Sequence, residues 1–378
     1  MKKSFFLSIL AVGALVAGCA KSEIVDTKFN EEISFETYLG RDAQAKALEA
    51  TKDNITKVGI YGFYTGREVY DPAKSVANLW ENLELTKNET AWTYDEKEIK
   101  YWTNATDLYT FLAYAPYATS DNGLVAAATD KKNPTVTYTC PVAEDGTLTT
   151  AIDLLYANAP ATNGVGGHVN MVKAKLVNLK FNHALSRLNV TAKATQNAKG
   201  IQFDVKKITL TGSFNTKGTL ALATAKAGGT ETADMGWTPV TPEKTSSYVF
   251  YDDPSDATIG ADGVATDALT TSVVDYAAEK GTEKPDYLMM IPTDFTTNNA
   301  VLSVVYTTIY AGQESNPVTK NIAIANNFKM GKAYSINLEF DPVLDKIEFT
   351  VETVEGWGEE APVNGNNTNN PEKYPAVN

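Results

Sequence analysis

Few side chains in this sequence are suited to chemistry. Its 378 residues hold two cysteines and two histidines beside 46 acidic residues. Cys19 closes the run Val16-Ala17-Gly18-Cys19, which follows the basic pair Lys2-Lys3 and an apolar stretch from Phe5 to Val16. That stretch is about 12 residues, too short to cross a hydrocarbon layer of roughly 30 Å as a helix. It reads as a secretory signal that ends in a lipobox, with cleavage ahead of Cys19 and lipid, palmitate included, carried on the new N-terminal residue. Two or more acyl chains anchor a protein stably, at about 0.8 kcal/mol per buried methylene. With Cys19 lipidated, Cys140 has no partner for an internal disulfide. Cys140 ends the strand-like run Val136-Thr137-Tyr138-Thr139-Cys140. A small buried hydrophobe is the expectation there, not a nucleophile.

The remaining candidates point away from catalysis. Gly164-Val165-Gly166-Gly167 is followed by His168 and not by the Lys-Ser of a phosphate loop, so it is expected to be a plain loop. His-Glu-x-x-His and Gly-x-Ser-x-Gly do not occur. His183 is expected to be a packed, hydrogen-bonded core residue, since no carboxylate, Ser or Cys is placed in sequence to make it catalytic. Acidic pairs such as Asp252-Asp253 and Glu359-Glu360 are ordinary in so acidic a chain. No enzyme, cofactor or metal site is expected. A net charge of −13 argues against nucleic acid as a partner, because phosphate binding needs clustered Lys and Arg.

Positioning elements are strands. Ile33–Tyr38, Val58–Tyr64, Leu108–Ala115, Leu176–Phe181, Ser186–Ala192, Phe203–Thr211, Tyr287–Ile291, Val301–Tyr310, Asn321–Ala325, Tyr334–Phe340 and Lys346–Val354 are rich in Val, Ile, Thr, Tyr and Phe. Many alternate apolar with polar, the period of a half-buried strand. Helical signals are confined to Asp42–Ala50 and Ala73–Leu85. Lys226–Thr245 and Asp252–Gly263 read as loops, and so does Asn158–Gly167, with Pro160 and three glycines, near mid-chain. The expected class is all-β, as β-sandwich. The division is signal peptide 1–18, tether 19–32, N-terminal sandwich 33–167, C-terminal sandwich 168–357 and polar tail 358–378.

Four motifs, in this order, resemble the Bacteroidales fimbrillin family. Leu179-Lys180-Phe181-Asn182-His183-Ala184-Leu185-Ser186-Arg187-Leu188 looks like its F-x-H-A-L-S-R-L signature. Tyr101-Trp102 with Leu108–Pro116 is similar to its aromatic strand ending in A-Y-x-P, and Leu288–Pro292 to its strand ending in Ile-Pro. Ile347–Trp357 is similar to its closing V-x-x-W strand. The resemblance implies two transthyretin-like domains and a fimbrial (pilus) subunit or adhesin at the cell outer membrane, exported as a lipoprotein.

It also implies a mechanism. A trypsin-like protease cuts after a basic residue that follows the first strand, and a strand from the next subunit fills the groove left behind. Here Ile33, Phe35 and Thr37 are the expected inward face of that strand and Arg41 is the candidate cut site; no arginine precedes it, and Lys21 and Lys28 are alternatives that would leave the strand in place. Phe181, His183, Leu185, Leu188 and Trp357 are structural members of the motifs. The implied partners are other fimbrial subunits, membrane lipid through Cys19 before processing, and a host protein or glycan receptor. A glycan-binding surface lipoprotein is the alternative, since five Trp and 19 Tyr could build a sugar-binding face. The tail after Trp357 alternates poorly for an incoming strand, so the donated segment and the place in the pilus stay open.

Overall fold

The computed structural model describes residues 31–39, 55–89, 91–144, 147–148, 152–195, 200–227, 229, 235–240, 246–253, 255, 265, 268–276, 287–341, 346–354 and 372–374. The fold is all-β. Nine strands precede residue 184: β1 (Phe35–Leu39), β2 (Lys57–Gly66), β3 (Trp80–Asn88), β4 (Ala91–Thr93), β5 (Leu108–Ala115), β6 (Leu124–Thr129), β7 (Lys132–Thr139), β8 (Leu155–Ala157) and β9 (Val177–His183). Then come β10 (Ser186–Ala194), β11 (Ile201–Gly212), β12 (Lys217–Ala221), β13 (Trp237–Val240), β14 (Ser246–Asp252), β15 (Val274–Asp275), β16 (Leu288–Met290) and β17 (Thr293–Asp294). The last are β18 (Ala300–Tyr310), β19 (Gln313–Glu314), β20 (Val318–Ile324), β21 (Asn327–Phe328), β22 (Ala333–Asp341), β23 (Lys346–Val354) and β24 (Glu372–Tyr374).

A seven-stranded sheet runs in the order β1-β9-β8-β5-β2-β3-β4. Both of its faces are covered, so β5 reads as a continuous apolar run and not as an alternation. One face packs on Leu124, Val136, Tyr138, Leu220 and Trp237 of the sheet β13-β12-β7-β6. The other carries a separate core of Ile33, Phe35, Trp80, Trp102, Phe111 and their neighbours. Gly59 lies opposite Tyr114 in the β2–β5 pairing, and a Cβ at Gly59 would stand 2.2 Å from the Tyr114 ring. Glycine is required there by that close approach.

The C-terminal half is a sandwich. β10, β22 and β23 form the centre of one sheet, and β14-β11-β18 with β20 the other. β10 alternates buried Ser186, Leu188, Val190, Ala192 and Ala194 with half-buried residues, as a strand with one face inward should. Across the interface Phe203, Tyr306 and Phe340 form a ring cluster with centroids 5.2–5.7 Å apart. Such rings bury large areas in preferred edge-on contacts. The buried thiol of Cys140 is pushed up to about 12 by its burial, which makes it a packed group and not a nucleophile.

Three expectations change. Ala73–Leu85 is not helical but a turn followed by β3. The register shifts beside Asn82, whose φ is 59°, so buried positions fall at Trp80, Leu83 and Leu85. That bulge gives a strand the apolar spacing of a helix turn. Lys226–Thr245, expected as loop, contains β13. The division at residues 167 and 168 is crossed twice: β9 belongs to the first sheet, and β7 pairs with β12 over five residue pairs. Glu372–Tyr374 of the tail pairs with β23. Asp42–Ala50 lies outside the described residues.

Candidate functional site

The residues expected to matter fall into two places. Ile33, Phe35 and Thr37 lie on the N-terminal strand; Phe181, His183, Leu185 and Leu188 lie at the passage between the two large sheets. Cys19, Arg41 and Trp357 lie outside the described residues.

At the passage, β9 and β10 belong to different sheets, and only Ala184 and Leu185 connect them. Several groups there bond across to other elements. Ala184 N–H donates to Leu154 O at 2.8 Å, and its carbonyl accepts from Trp237 Nε1 at 2.9 Å. Leu185 O accepts from Gly331 N–H at 2.9 Å, and Ser186 Oγ donates toward Phe328 O at 3.0 Å. Phe181, Leu185 and Leu188 are buried. His183 Nδ1 lies 2.8 Å from Asp153 Oδ2, with both side chains buried. Sequence spacing could not reveal Asp153, which is 30 residues upstream and precedes β8. This buried arrangement joins the two sheets.

The first strand is held differently. Among the described residues β1 is an edge strand, paired in parallel with β9: Phe35 faces Val177, and Leu39 faces Phe181. Just ahead of it the chain takes a second neighbour. Ile33 N–H donates to Lys100 O at 2.9 Å, and Trp102 N–H donates to Glu31 O at 3.1 Å. Tyr94 donates its hydroxyl to Ile33 O at 2.8 Å. Burial pushes the Tyr94 phenol well above its ordinary value, so it stays a donor.

Side chains alternate as the sequence predicts. Ile33 is 0% and Phe35 4% exposed, and Thr37 is half-buried. The Phe35 ring sits 5.4 Å from Phe111, 5.7 Å from Trp80 and 6.3 Å from Tyr94, centroid to centroid. Trp80 is fixed by its own bond from Nε1 to Glu98 O at 2.8 Å. At the strand's entry Lys173 Nζ lies 2.8 Å from Glu31. Burying two such apolar side chains stabilises by about 3–6 kcal/mol. The seat residues Trp80, Tyr94 and Lys173 were not singled out by sequence, because they are scattered over loops and strand ends.

Elsewhere charge closes on itself. Lys206, the bulged residue of β11, lies 2.5 Å from Asp204 and 3.1 Å from Glu314, and donates to Ser255 O at 2.6 Å. Among the described residues no group of three or more His, Cys, Asp or Glu is placed to hold a metal ion.

An all-β protein whose edge strand fills an aromatic seat, beside a two-sheet sandwich, defines the class. The chain belongs to the fimbrillin-like family, whose model matches residues 45–357. That match starts after β1, so it contains the seat and not its occupant. Among solved structures, a fimbrial protein from Bacteroides vulgatus is 19% identical, with a TM-score of 0.62, over 87% of this chain and 100% of that one. That likeness shows a shared fold. A candidate cell adhesion protein from Bacteroides uniformis is 16% identical over 86% of this chain and 99% of its own, with a TM-score of 0.46. One from Bacteroides ovatus is 14% identical over 86% and 96%, with a TM-score of 0.43. No curated protein matches the chain.

Proposed function

We propose that this protein is a non-enzymatic subunit of a cell-surface fimbria, anchored first through lipid on Cys19 and assembled by strand exchange after a cut at Arg41. One observation carries the reading: the first strand is an edge strand whose inward side chains fill a seat made by other parts of the chain. A strand in that position is a plug. Leaving, it breaks one ladder and bares Trp80, Tyr94 and Phe111; a strand from a neighbouring subunit restores both. Main-chain pairing supplies adhesion, and alternate side chains supply fit. Covering the edge until assembly avoids the aggregation that exposed edges invite. Arg41 stands two residues past the end of β1, so a cut there severs the plug from the rest of the chain.

The test uses Arg41→Ala. Brief digestion of protein carrying Arg67→Lys, which removes a second exposed arginine, with an arginine-specific protease should give a product beginning at Asp42, and that product should form ladders on an SDS gel. Arg41→Ala should give neither and should accumulate on cells as an anchored monomer. Normal filaments from Arg41→Ala cells would remove the strand-exchange reading at this position.

A further inference from the structure

The seat has a direction and a charge, and both bear on what can replace the plug. From its entry inward it presents Lys173, then the pocket of Ile33, then the rings around Phe35. The plug answers with Glu31, Ile33 and Phe35, one residue apart on the same face. It runs parallel to β9. We propose that the seat selects an incoming strand of another subunit that carries an acidic residue, an aliphatic residue and an aromatic residue at alternate positions, and that the Lys173 clasp fixes it parallel to β9. The proposal rests on the strand-exchange reading above and specifies the partner's chemistry.

The geometry excludes the reverse direction. An antiparallel strand with its aromatic side chain among Phe111, Trp80 and Tyr94 brings to Lys173 the residue four places after that ring, not four before it. It also loses the parallel ladder that joins Val177 N–H to the plug's carbonyl at Ser34. Apolar fit alone would accept many strands, because hydrophobic burial is non-directional. The ion pair adds what burial lacks. Glu31 is the more exposed partner, at 47%, and Lys173 the more buried, at 18%. Lys173 thus belongs to the receiving wall, and the carboxylate comes with the guest. The pattern occurs at one other place in the sequence, Asp345-x-Ile347-x-Phe349. There Ile347 and Phe349 are buried in the C-terminal sheet, and β23 pairs with β22 over nine residue pairs. A second copy of this chain offers the segment only once β23 has left β22, whereas a free strand with the same pattern needs no such step.

The test is peptide binding to the full chain cut at Arg41, with Arg67→Lys introduced so that the exposed Arg67 is not a second site. After the native plug is exchanged out, labelled peptides are titrated: residues 31–39 themselves, the same with Glu31→Gln, Glu31→Lys or Phe35→Ala, residues 345–353, and the 31–39 sequence written backwards. Residues 31–39 and 345–353 should bind comparably. Phe35→Ala should weaken binding by about 100-fold or more, Glu31→Gln by about threefold, and the reversed peptide should bind no better than Phe35→Ala. In protein carrying Lys173→Glu the order should invert, with Glu31→Lys binding better than the native peptide. The peptide-side substitutions keep the test alive if Lys173→Glu does not fold. Equal binding of the Glu31 variants, or tight binding of the reversed peptide, overturns the clasp while leaving strand exchange standing. Failure of every peptide, the native one included, to bind the cut protein overturns strand exchange itself.

Discussion

His168 is the residue whose chemistry is most tightly specified by its surroundings. It is fully buried; its Nδ1–H donates to Phe111 O at 2.7 Å, and its Nε2 accepts from Ala159 N–H at 3.1 Å. The protonated ring would keep the bond from Nδ1 but lose the one accepted at Nε2. A proton on Nε2 would face the Ala159 N–H in a fully buried site. Burial accordingly pushes His168 down to about 4 from 6.5. The sign follows directly: between those values the unfolded chain holds the proton and the folded chain does not, so stability falls as pH drops from about 6.5 toward 4. The loss from this group totals on the order of 3 kcal/mol. Urea midpoints at pH 7.5 and pH 4.5, compared between wild type and His168→Asn, should show a smaller acid loss in the variant. The sequence marks His168 only as the residue that spoils a phosphate-loop motif. Its partners lie 9 and 57 residues upstream, so spacing could not give its role.

At the scale of elements, what was legible depended on whether a strand kept its period. β5 stands where its apolar run places it, and β23 where the alternation of Ile347, Phe349 and Val351 with polar residues places it. β3 was misread, because Asn82 breaks its alternation. β6 is half alanine and gave no strand signal. The plug itself was legible as Ile33-x-Phe35-x-Thr37, yet its seat was not, since Tyr94, Lys100 and Lys173 reach it from loops with no pattern of their own. Phe35→Asp tests how far the seat depends on the ring. A carboxylate among Phe111, Trp80 and Tyr94 has no cation within that cluster, and the expected cost is on the order of 4 kcal/mol. Amide hydrogen exchange should locate the damage. Val177–Phe181 of β9 should lose protection along with β1, while the β22–β23 ladder keeps its own. Unchanged exchange in β9 would show that the ladder holds without the ring.

At the scale of the molecule, the class was legible and the division was not. Strand composition and the scarcity of helical pattern lead to an all-β protein from local signals alone. The pairing of β7 with β12 joins residues about 80 positions apart, and that of β1 with β9 about 140. No local signal encodes such pairs; they follow from which faces are left to bury once the hairpins have formed. The glycine-rich stretch at 158–167 looked like a linker, but it folds back on residues tied into the first sheet: His168 N–H donates to Ala159 O at 2.9 Å, Phe111 N–H to His168 O at 2.8 Å and Tyr109 N–H to Met171 O at 2.8 Å. Stability should therefore not divide at that point. A fragment of residues 19–167 keeps β1 but lacks β9, its ladder partner among the described residues, and lacks β12 and Trp237 over the apolar face of β7. It also loses His183 beside the buried Asp153. Such a fragment should be insoluble or show no protected amides, whereas residues 19–378 should unfold in one cooperative transition by circular dichroism. A soluble 19–167 fragment with a sharp transition of its own would mean that the first sheet is complete without β9, and that β1 finds its support in residues 100–102 alone.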